Sequence, residues 1–216
     1  MFKEIIEQQK RTALVYEAVD EILRMLGLAE KMFDEVCSTL LAEEKGDINV
    51  DQADRDINAG ERLVRRLIFQ HLMVNPQQDL PASLALLSIV HDVERIGDYA
   101  KSLLELKQWG SLCQGVGAAT CGELHSMVTP LFAQTREALQ DSNADLARQV
   151  MQRHEEVKKI SDKVVAATMQ EEETGQDAVT QALASRFLRR ISAHLSNVAS
   201  SVANPLDQLS GKVAVE

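Results

Sequence analysis

The sequence has few residues that break helices or form tight turns. Its 216 residues include only ten glycines and four prolines, and aromatic residues make up 4% of the chain. A β-sandwich or barrel needs many short strands and turns, so this composition argues against both. Because 45% of the residues are hydrophobic, the chain can nevertheless bury a substantial core. The composition therefore predicts a globular protein built mainly from helices.

Cysteines and long apolar runs are also scarce. The three cysteines, Cys37, Cys113 and Cys121, cannot all pair and form no C-x-x-C motif, which favours a reducing compartment. Even a long run without a charged residue, 108–122, has only 15 residues including four glycines, which is too short to span a bilayer. The N-terminal residues lack the pattern of a secretory signal. We therefore expect a cytoplasmic protein with no direct insertion into a membrane.

The charge of the chain is strongly negative and unevenly distributed. The net charge is −10, and residues 1–108 contain 20 acids and 13 bases, whereas residues 109–216 contain 13 acids and 10 bases. Proteins that bind nucleic acid or anionic lipid without specificity need a positive surface, so neither is expected as a partner. The excess of carboxylates in the first half is compatible with a cation site.

Apolar periodicity predicts six long helices with two short turns in each half of the chain. Asp47 and Asp79 are expected to cap the second and third helices, and Pro81 fits the first turn of the third. The glycines at 115, 117 and 122 indicate a loose connection at the midpoint. The six predicted helices span residues 14–42, 47–74, 80–108, 123–140, 144–172 and 176–204.

Three long helices joined by short turns, present twice, predict an all-α fold of two tandem antiparallel three-helix bundles, as in spectrin repeats. The expected domains are residues 1–108, an N-terminal extension plus the first bundle, and residues 109–216, a second and degenerate bundle.

Acidic residues border the apolar face of the third helix. Glu94 and Asp98 are one turn apart on the same side of this helix, and like charges at that spacing repel each other unless a cation is present.

A matching acidic row lies on the second helix. Asp54, Asn58 and Glu61 are spaced i, i+4, i+7 beside an apolar row. Two antiparallel helices with such rows could form an oxygen-rich site for iron, manganese, magnesium or calcium. The alternative is that the acids pair with nearby arginines such as Arg65 and Arg95, in which case they are structural.

The segment Glu94-Arg95-Ile96-Gly97-Asp98-Tyr99-Ala100 closely resembles the signature of the PhoU family of phosphate-uptake regulators. The row from Asp54 to Glu61 is similar to the family's second-helix pattern, and the resemblance extends over roughly residues 28–209. It implies a PhoU-like doubled bundle and a regulator of phosphate transport and signalling. It also implies a divalent or trivalent metal ion, iron-like or another, bound through Glu94, Asp98, Asp54, Glu61 and the weaker donor Asn58.

The second half departs from this pattern. Ser196 and Ser200 occupy the positions of Glu94 and Asp98, and His154 replaces Asp54. A serine hydroxyl is a poor metal ligand beside a carboxylate. We therefore expect a divergent member in which only the first bundle binds metal.

The partners implied by the resemblance are a phosphate transporter subunit or a sodium–phosphate symporter, with a sensor kinase and a homodimer as further candidates. Contact with such a transporter would place the protein at the periphery of the inner membrane. No catalytic residue is expected, because nucleotide-binding and nucleophile motifs are absent and no histidine follows a glutamate at the Glu-x-x-His spacing of di-iron enzymes. Two alternatives remain open: a structural helical adaptor without metal and, less favoured, a carboxylate-bridged metalloenzyme.

Overall fold

The computed structural model describes residues 13–42, 48–110, 112, 117–170 and 175–205. These residues contain no strand, and none of their helices is apolar over a length that could traverse a membrane. A π-helical turn, Ser38–Ala42, follows α1, and a 3-10 turn, Leu106–Gln108, follows α3. The helices are α1 (Ala13–Cys37), α2 (Val50–Val74), α3 (Leu80–Glu105), α4 (Gly117–Asp141), α5 (Ala144–Met169) and α6 (Gln176–Ala203).

The six helices form two three-helix bundles, the first from α1, α2 and α3 and the second from α4, α5 and α6. Cross-helix contacts fix their directions. Lys101 of α3 contacts Asp54 of α2, whereas His91, ten residues earlier on α3, contacts Glu61, which is later on α2. Helices α2 and α3 are therefore antiparallel, and the prediction of an all-α fold of two tandem three-helix bundles is confirmed.

The bundles pack side by side through α3 against α6 and α1 against α4. Buried apolar side chains form one continuous cluster through both bundles. At the α1–α4 contact the fully buried Phe33 and Phe132 rings lie 5.2 Å apart between centroids, with a nearby ion pair of 2.9 Å between Glu30 and Arg136. Because aromatic pairs contribute both burial and oriented contact, this pair anchors the two bundles to each other.

The helix starts differ in part from those predicted. Asn49 caps α2 by accepting a 3.0 Å hydrogen bond from the Gln52 backbone N–H, while the predicted cap Asp47 lies outside the described residues. Asp79 holds the predicted N-cap position of α3, but its side chain accepts no capping hydrogen bond. Its backbone adopts φ 54°, the left-handed region, and its side chain is buried instead.

The helix α4 begins at Gly117, six residues before the predicted start at 123. Glycine lowers helix stability only modestly, and here the contacts that α4 makes with α6 outweigh that cost. Gly122 lies inside the helix with nothing within 4 Å of the position that a Cβ would take. The glycines at 117 and 122 therefore belong to a helix and not to the loose midpoint connection that the sequence indicated.

Candidate functional site

The acidic rows on α2 and α3 border a close contact between these two helices. A Cβ added to Gly97 of α3 would lie 3.1 Å from Ile57 Cδ1 of α2, so the missing side chain lets the helices approach. Ile57 and Val93 are buried beneath the contact. The acidic residues flank these apolar rows, as the sequence predicted, and we call the set Asp54, Asn58, Glu61, Glu94 and Asp98 the acidic seam.

Two carboxylates and one imidazole meet at one end of the acidic seam. His91 Nδ1 is 3.5 Å from Glu61 Oε1 and also 3.5 Å from Glu94 Oε2. The Glu61 and Glu94 side chains are only 16% and 13% exposed, whereas Asp98 is 35% exposed. The structure therefore brings Glu61 and Glu94 together around His91, whereas Asp98 lies one turn further along α3, close enough to repel Glu94.

Glu94 is the least well paired of these carboxylates. Its Oε2 atom is buried and accepts no hydrogen bond, since the contacts at 3.5 Å to His91 and 3.8 Å to Arg95 do not meet hydrogen-bond geometry. Burial and repulsion by Asp98 and Glu61 raise the pKa of Glu94, and the attraction of Arg95 and His91 opposes this only in part. The site therefore disfavours the negative charge that Glu94 carries at neutral pH.

The other acids of the acidic seam have cationic partners. Arg65 donates to Glu61 Oε1 at 2.8 and 3.1 Å, and Arg95 donates to Asp98 Oδ2 at 2.9 Å. Both guanidinium groups are exposed, at 49% and 45%. Exposed pairs of this kind contribute typically less than about 1 kcal/mol, so they can be exchanged for another cation at low cost.

The opposite end of the acidic seam contains Asp54 and Asn58. Lys101 Nζ lies 3.3 Å from both Asp54 Oδ2 and Asp51 Oδ1, and these contacts raise the pKa of Lys101. The Asn58 amide donates to the Asp54 carbonyl at 3.0 Å. Asp54 is seven residues from Glu61, which is about 10 Å along the helix axis. Asp54 and Asn58 are thus not gathered around Glu94.

As the side chains stand, no three or more histidine, cysteine, aspartate or glutamate residues in the described ranges form a group that could hold a metal ion. The residues nevertheless fit a hard cation in one respect. Glu94 presents a buried oxygen that has no hydrogen-bond donor, and Glu61 and Asp98 add carboxylate oxygens beside it. Oxygen donors of this kind are the ligands that magnesium, manganese and iron accept.

The equivalent face of the second bundle has no carboxylates at these positions. Ser196 and Ser200 are buried, and the Ser200 hydroxyl donates to the Asn197 carbonyl. His154 lies 2.9 Å from the Ser192 hydroxyl, and burial lowers its pKa, which favours the neutral imidazole. The Ser200 hydroxyl and the His154 imidazole thus each have a hydrogen-bond partner within this bundle.

Sequence reasoning missed the roles of His91 and Lys101. The His91 side chain is 50% exposed and contacts two acids of the seam. The spacing of His91 and Glu94, three residues apart on one helix, would have indicated their contact. His71, by contrast, is buried, with Nε2 2.8 Å from the Gln78 carbonyl.

A second missed cluster joins the bundles behind the acidic seam. Asp92 Oδ1 lies 2.7 Å from His194 Nδ1 and accepts a 2.8 Å hydrogen bond from the Asn197 amide. The Tyr99 ring stacks on the His194 ring at 5.6 Å. No sequence pattern indicated this contact, because its members are about a hundred residues apart.

Comparison with known proteins agrees with this architecture. The crystal structure of PhoU from Pseudomonas aeruginosa has a TM-score of 0.74 and 24% identity, covering 88% of this chain and 95% of that one. The crystal structure of the phosphate transport system regulatory protein PhoU from Streptococcus pneumoniae has a TM-score of 0.72 and 16% identity, covering 87% and 92%. At these identities the likeness concerns the fold.

At the level of sequence, no protein of curated function matches the chain significantly. The pattern of the PhoU domain, however, matches it twice, over residues 22–106 and 122–202. Each matched segment corresponds to one three-helix bundle. The chain therefore belongs to the PhoU domain family.

Proposed function

We propose that this protein is a cytoplasmic, non-catalytic regulator of phosphate transport and phosphate signalling. It would act as a helical adaptor whose protein contacts respond to a cation at the acidic seam. Membership of the PhoU domain family supports the regulatory role, and a relative of the same fold is described as a phosphate transport system regulatory protein. The partner of the present protein would be a phosphate transporter subunit, a sodium–phosphate symporter or a sensor kinase.

The buried Glu94 Oε2 atom is the observation that carries the cation site. This oxygen has no hydrogen-bond donor, and burial together with repulsion from two nearby carboxylates raises the pKa of Glu94. A divalent cation bound at this oxygen would supply the positive charge that the acidic seam lacks. Glu94, Asp98 and Glu61 would provide the first oxygen donors, with Asp54 and Asn58 extending the acidic row.

Cation binding would be coupled to the surface of the bundle through the arginines. Arg65 and Arg95 now hold Glu61 and Asp98. When these carboxylates turn towards a cation, both guanidinium groups lose their partners and become available at the surface. The charge presented to a partner protein would therefore differ between the two states, which is how occupancy could regulate docking.

Measurement of bound metal tests the site. Purified wild type and a Glu94→Gln, Asp98→Asn variant are equilibrated with Mn²⁺ or Fe²⁺, desalted and examined by elemental analysis. We expect about one metal ion per wild-type chain and a large loss in the variant. A Glu155→Gln, Glu156→Gln variant, which removes two half-exposed carboxylates from α5, is the control and should bind like wild type. Equal metal content in all three proteins would reject the site.

Phosphate uptake tests the regulatory role separately. Cells of the source organism that lack the gene should take up phosphate at an altered rate, and the wild-type gene should restore it. The Glu94→Gln, Asp98→Asn gene should restore it poorly, whereas the Glu155→Gln, Glu156→Gln gene should restore it fully. Unaltered uptake in cells without the gene would reject the regulatory role, whatever the metal content.

A structural adaptor without metal is the second candidate. It is favoured by the ion pairs, since Asp54, Glu61 and Asp98 each have a lysine or arginine partner within 3.3 Å. For such a protein, the melting temperature would respond neither to a chelator nor to added metal. A metal-dependent regulator should instead melt at a higher temperature when metal is added.

A further inference from the structure

The second bundle has a positively charged region where α5 packs against α6. Residues 153–163 of α5 lie against residues 185–194 of α6, joined by side-chain hydrogen bonds such as that between His154 and Ser192. The two segments together contain seven lysines and arginines but only three aspartates and glutamates. With histidines neutral, this region has a formal charge of +4 in a chain whose net charge is −10. A local excess of positive charge of this kind attracts anions.

Two arginines of this region share one carboxylate. Arg189 donates from Nη1 to Asp162 Oδ1, and Nη1 of Arg186 lies 3.7 Å from the same oxygen. One negative charge therefore lies between two guanidinium groups. Asp162 is 53% exposed, so an oxygen of a ligand can take its place at low cost. Guanidinium groups that converge on one oxygen are typical of phosphate recognition.

Lys158 lies between this pair of arginines and His154. It is four residues after His154 and four before Asp162, so the three side chains follow one face of α5 at intervals of about one turn. Burial lowers the pKa of His154, and although the charge of Glu155 opposes this, the charges of Arg189 and Lys158 lower it further. These cationic groups therefore act on His154 and belong to one cluster. The contact of Lys158 with Glu155, at 3.4 Å, is partly exposed to solvent.

The hydrogen bonds of His154 determine which of its ring nitrogens carries the proton. The Ser192 hydroxyl donates its only hydrogen to the Arg189 carbonyl at 2.8 Å, so it accepts from His154 Nδ1 at 2.9 Å. In the neutral imidazole, Nε2 then carries a lone pair and is an acceptor. Within the part of the chain that the structure describes, Nε2 has no hydrogen-bond partner and is not among the fully buried atoms. His154 therefore presents an acceptor that a ligand carrying a proton can pair.

We propose that the second bundle binds inorganic phosphate between α5 and α6. The residues that would hold it are His154, Lys158, Arg186 and Arg189. Monohydrogen phosphate has three oxygens that accept from ammonium and guanidinium groups and one hydroxyl that donates to Nε2 of His154. Sulfate has the same shape and charge but no proton, so it would leave this acceptor unpaired. The proposal deepens the proposed function and rests on it for the role of the ligand, whereas binding itself does not depend on that role.

Calorimetric titration of the full chain with phosphate and with sulfate, at pH 8 and constant ionic strength, tests this site. We expect wild type to bind phosphate with saturation and sulfate at least about tenfold more weakly. Arg189→Gln should raise the dissociation constant for phosphate at least about tenfold. Asp162→Asn should lower it, because this change removes the carboxylate that competes for both arginines. His154→Phe should lose the preference for phosphate over sulfate. Circular dichroism melting confirms that each variant remains folded.

Arg148→Gln is the matched control, because it also removes one arginine of α5, which is 52% exposed and paired with Asp145. It should leave the dissociation constant unchanged. The proposal would be overturned if wild type showed no saturable phosphate binding or bound phosphate and sulfate equally. An unchanged dissociation constant in Asp162→Asn, or equal weakening by Arg148→Gln and Arg189→Gln, would also overturn it. Absent phosphate binding together with altered phosphate uptake in cells lacking the gene would reject this site alone and leave the regulatory role standing.

Discussion

Replacing Glu94 with glutamine should stabilise the metal-free protein at neutral and alkaline pH. Glutamine has nearly the shape of glutamate but carries no charge, so it removes the repulsion from Asp98 and Glu61 and the cost of burying a carboxylate. It also loses the attraction of His91 at 3.5 Å and Arg95 at 3.8 Å. Because the pKa of Glu94 is raised, the unfavourable contributions are the larger ones.

The size of the effect follows from the geometry. Like charges one helical turn apart cost about 0.2–0.5 kcal/mol, and burial together with the cross-helix repulsion from Glu61 adds to this. The weak contacts with His91 and Arg95 offset part of the sum. We expect a net gain of about 0.5–1 kcal/mol in the free energy of unfolding. For a protein of this length that corresponds to a rise of about 1–4 °C in melting temperature.

The pH dependence of this gain identifies its origin. A carboxyl group whose pKa is higher in the folded state stabilises the fold below its unfolded pKa, about 4.3, and this stabilisation is lost as pH rises through the folded pKa. Wild type and Glu94→Gln should therefore be equally stable near pH 4, whereas the variant should be more stable at pH 8. The assay is thermal or urea unfolding in the presence of a chelator.

Glu21→Gln is the control for this prediction. Glu21 is as buried as Glu94, with 12% exposure, but Arg24 donates to it at 2.6 and 2.8 Å. Its replacement should lower stability, because it breaks a good ion pair. If Glu94→Gln lowered stability at pH 8 as Glu21→Gln does, the carboxylate of Glu94 would be well paired and the electrostatic reasoning refuted.

Two further predictions concern the scaffold that holds the site. Gly60→Ala should lower the free energy of unfolding in urea by about 1–3 kcal/mol, because the new Cβ would lie 2.7 Å from the buried Met25 Cγ. Gly122→Ala should raise it by up to about 1 kcal/mol, because no atom lies within 4 Å of the position that its Cβ would take. Asp92→Ala should cost about 1–3 kcal/mol, and a double-mutant cycle with His194→Ala should give a coupling energy of about 1 kcal/mol or more. Additive effects of Asp92→Ala and His194→Ala would show that the inter-bundle contact is not formed in solution.

The fold was predictable because its helices are long, amphipathic and separated by few turns. The α2–α3 turn at Asn75-Pro76 and the turn before α6 at Gly175 lie where the sequence indicated them. The failures lie at helix ends, where one contact decides the outcome. Asp79 is a good capping residue by type, but its left-handed backbone and the neighbouring His71 draw its side chain inwards.

The position of the acidic seam was also predictable, because helical spacing alone places Glu94 and Asp98 beside the apolar rows. The partners of these acids were not. Lys101 reaches Asp54 across 47 residues of sequence, and His91 lies between Glu61 and Glu94 only because the two helices pack in one particular register. Periodicity determines the face on which a residue lies, whereas ion pairing depends on the register between helices, which the sequence of a single helix does not contain.

Calorimetric titration of the chelator-stripped protein with Mn²⁺ tests most directly whether a cation takes the place of a guanidinium group at the acidic seam. Wild type should bind with saturation, and Arg95→Gln, which removes the partner of Asp98, should bind more tightly. Glu94→Gln, Asp98→Asn should show no saturable binding. An absence of saturable binding by wild type, or equal affinity of wild type and the Glu94→Gln, Asp98→Asn variant, would contradict the account.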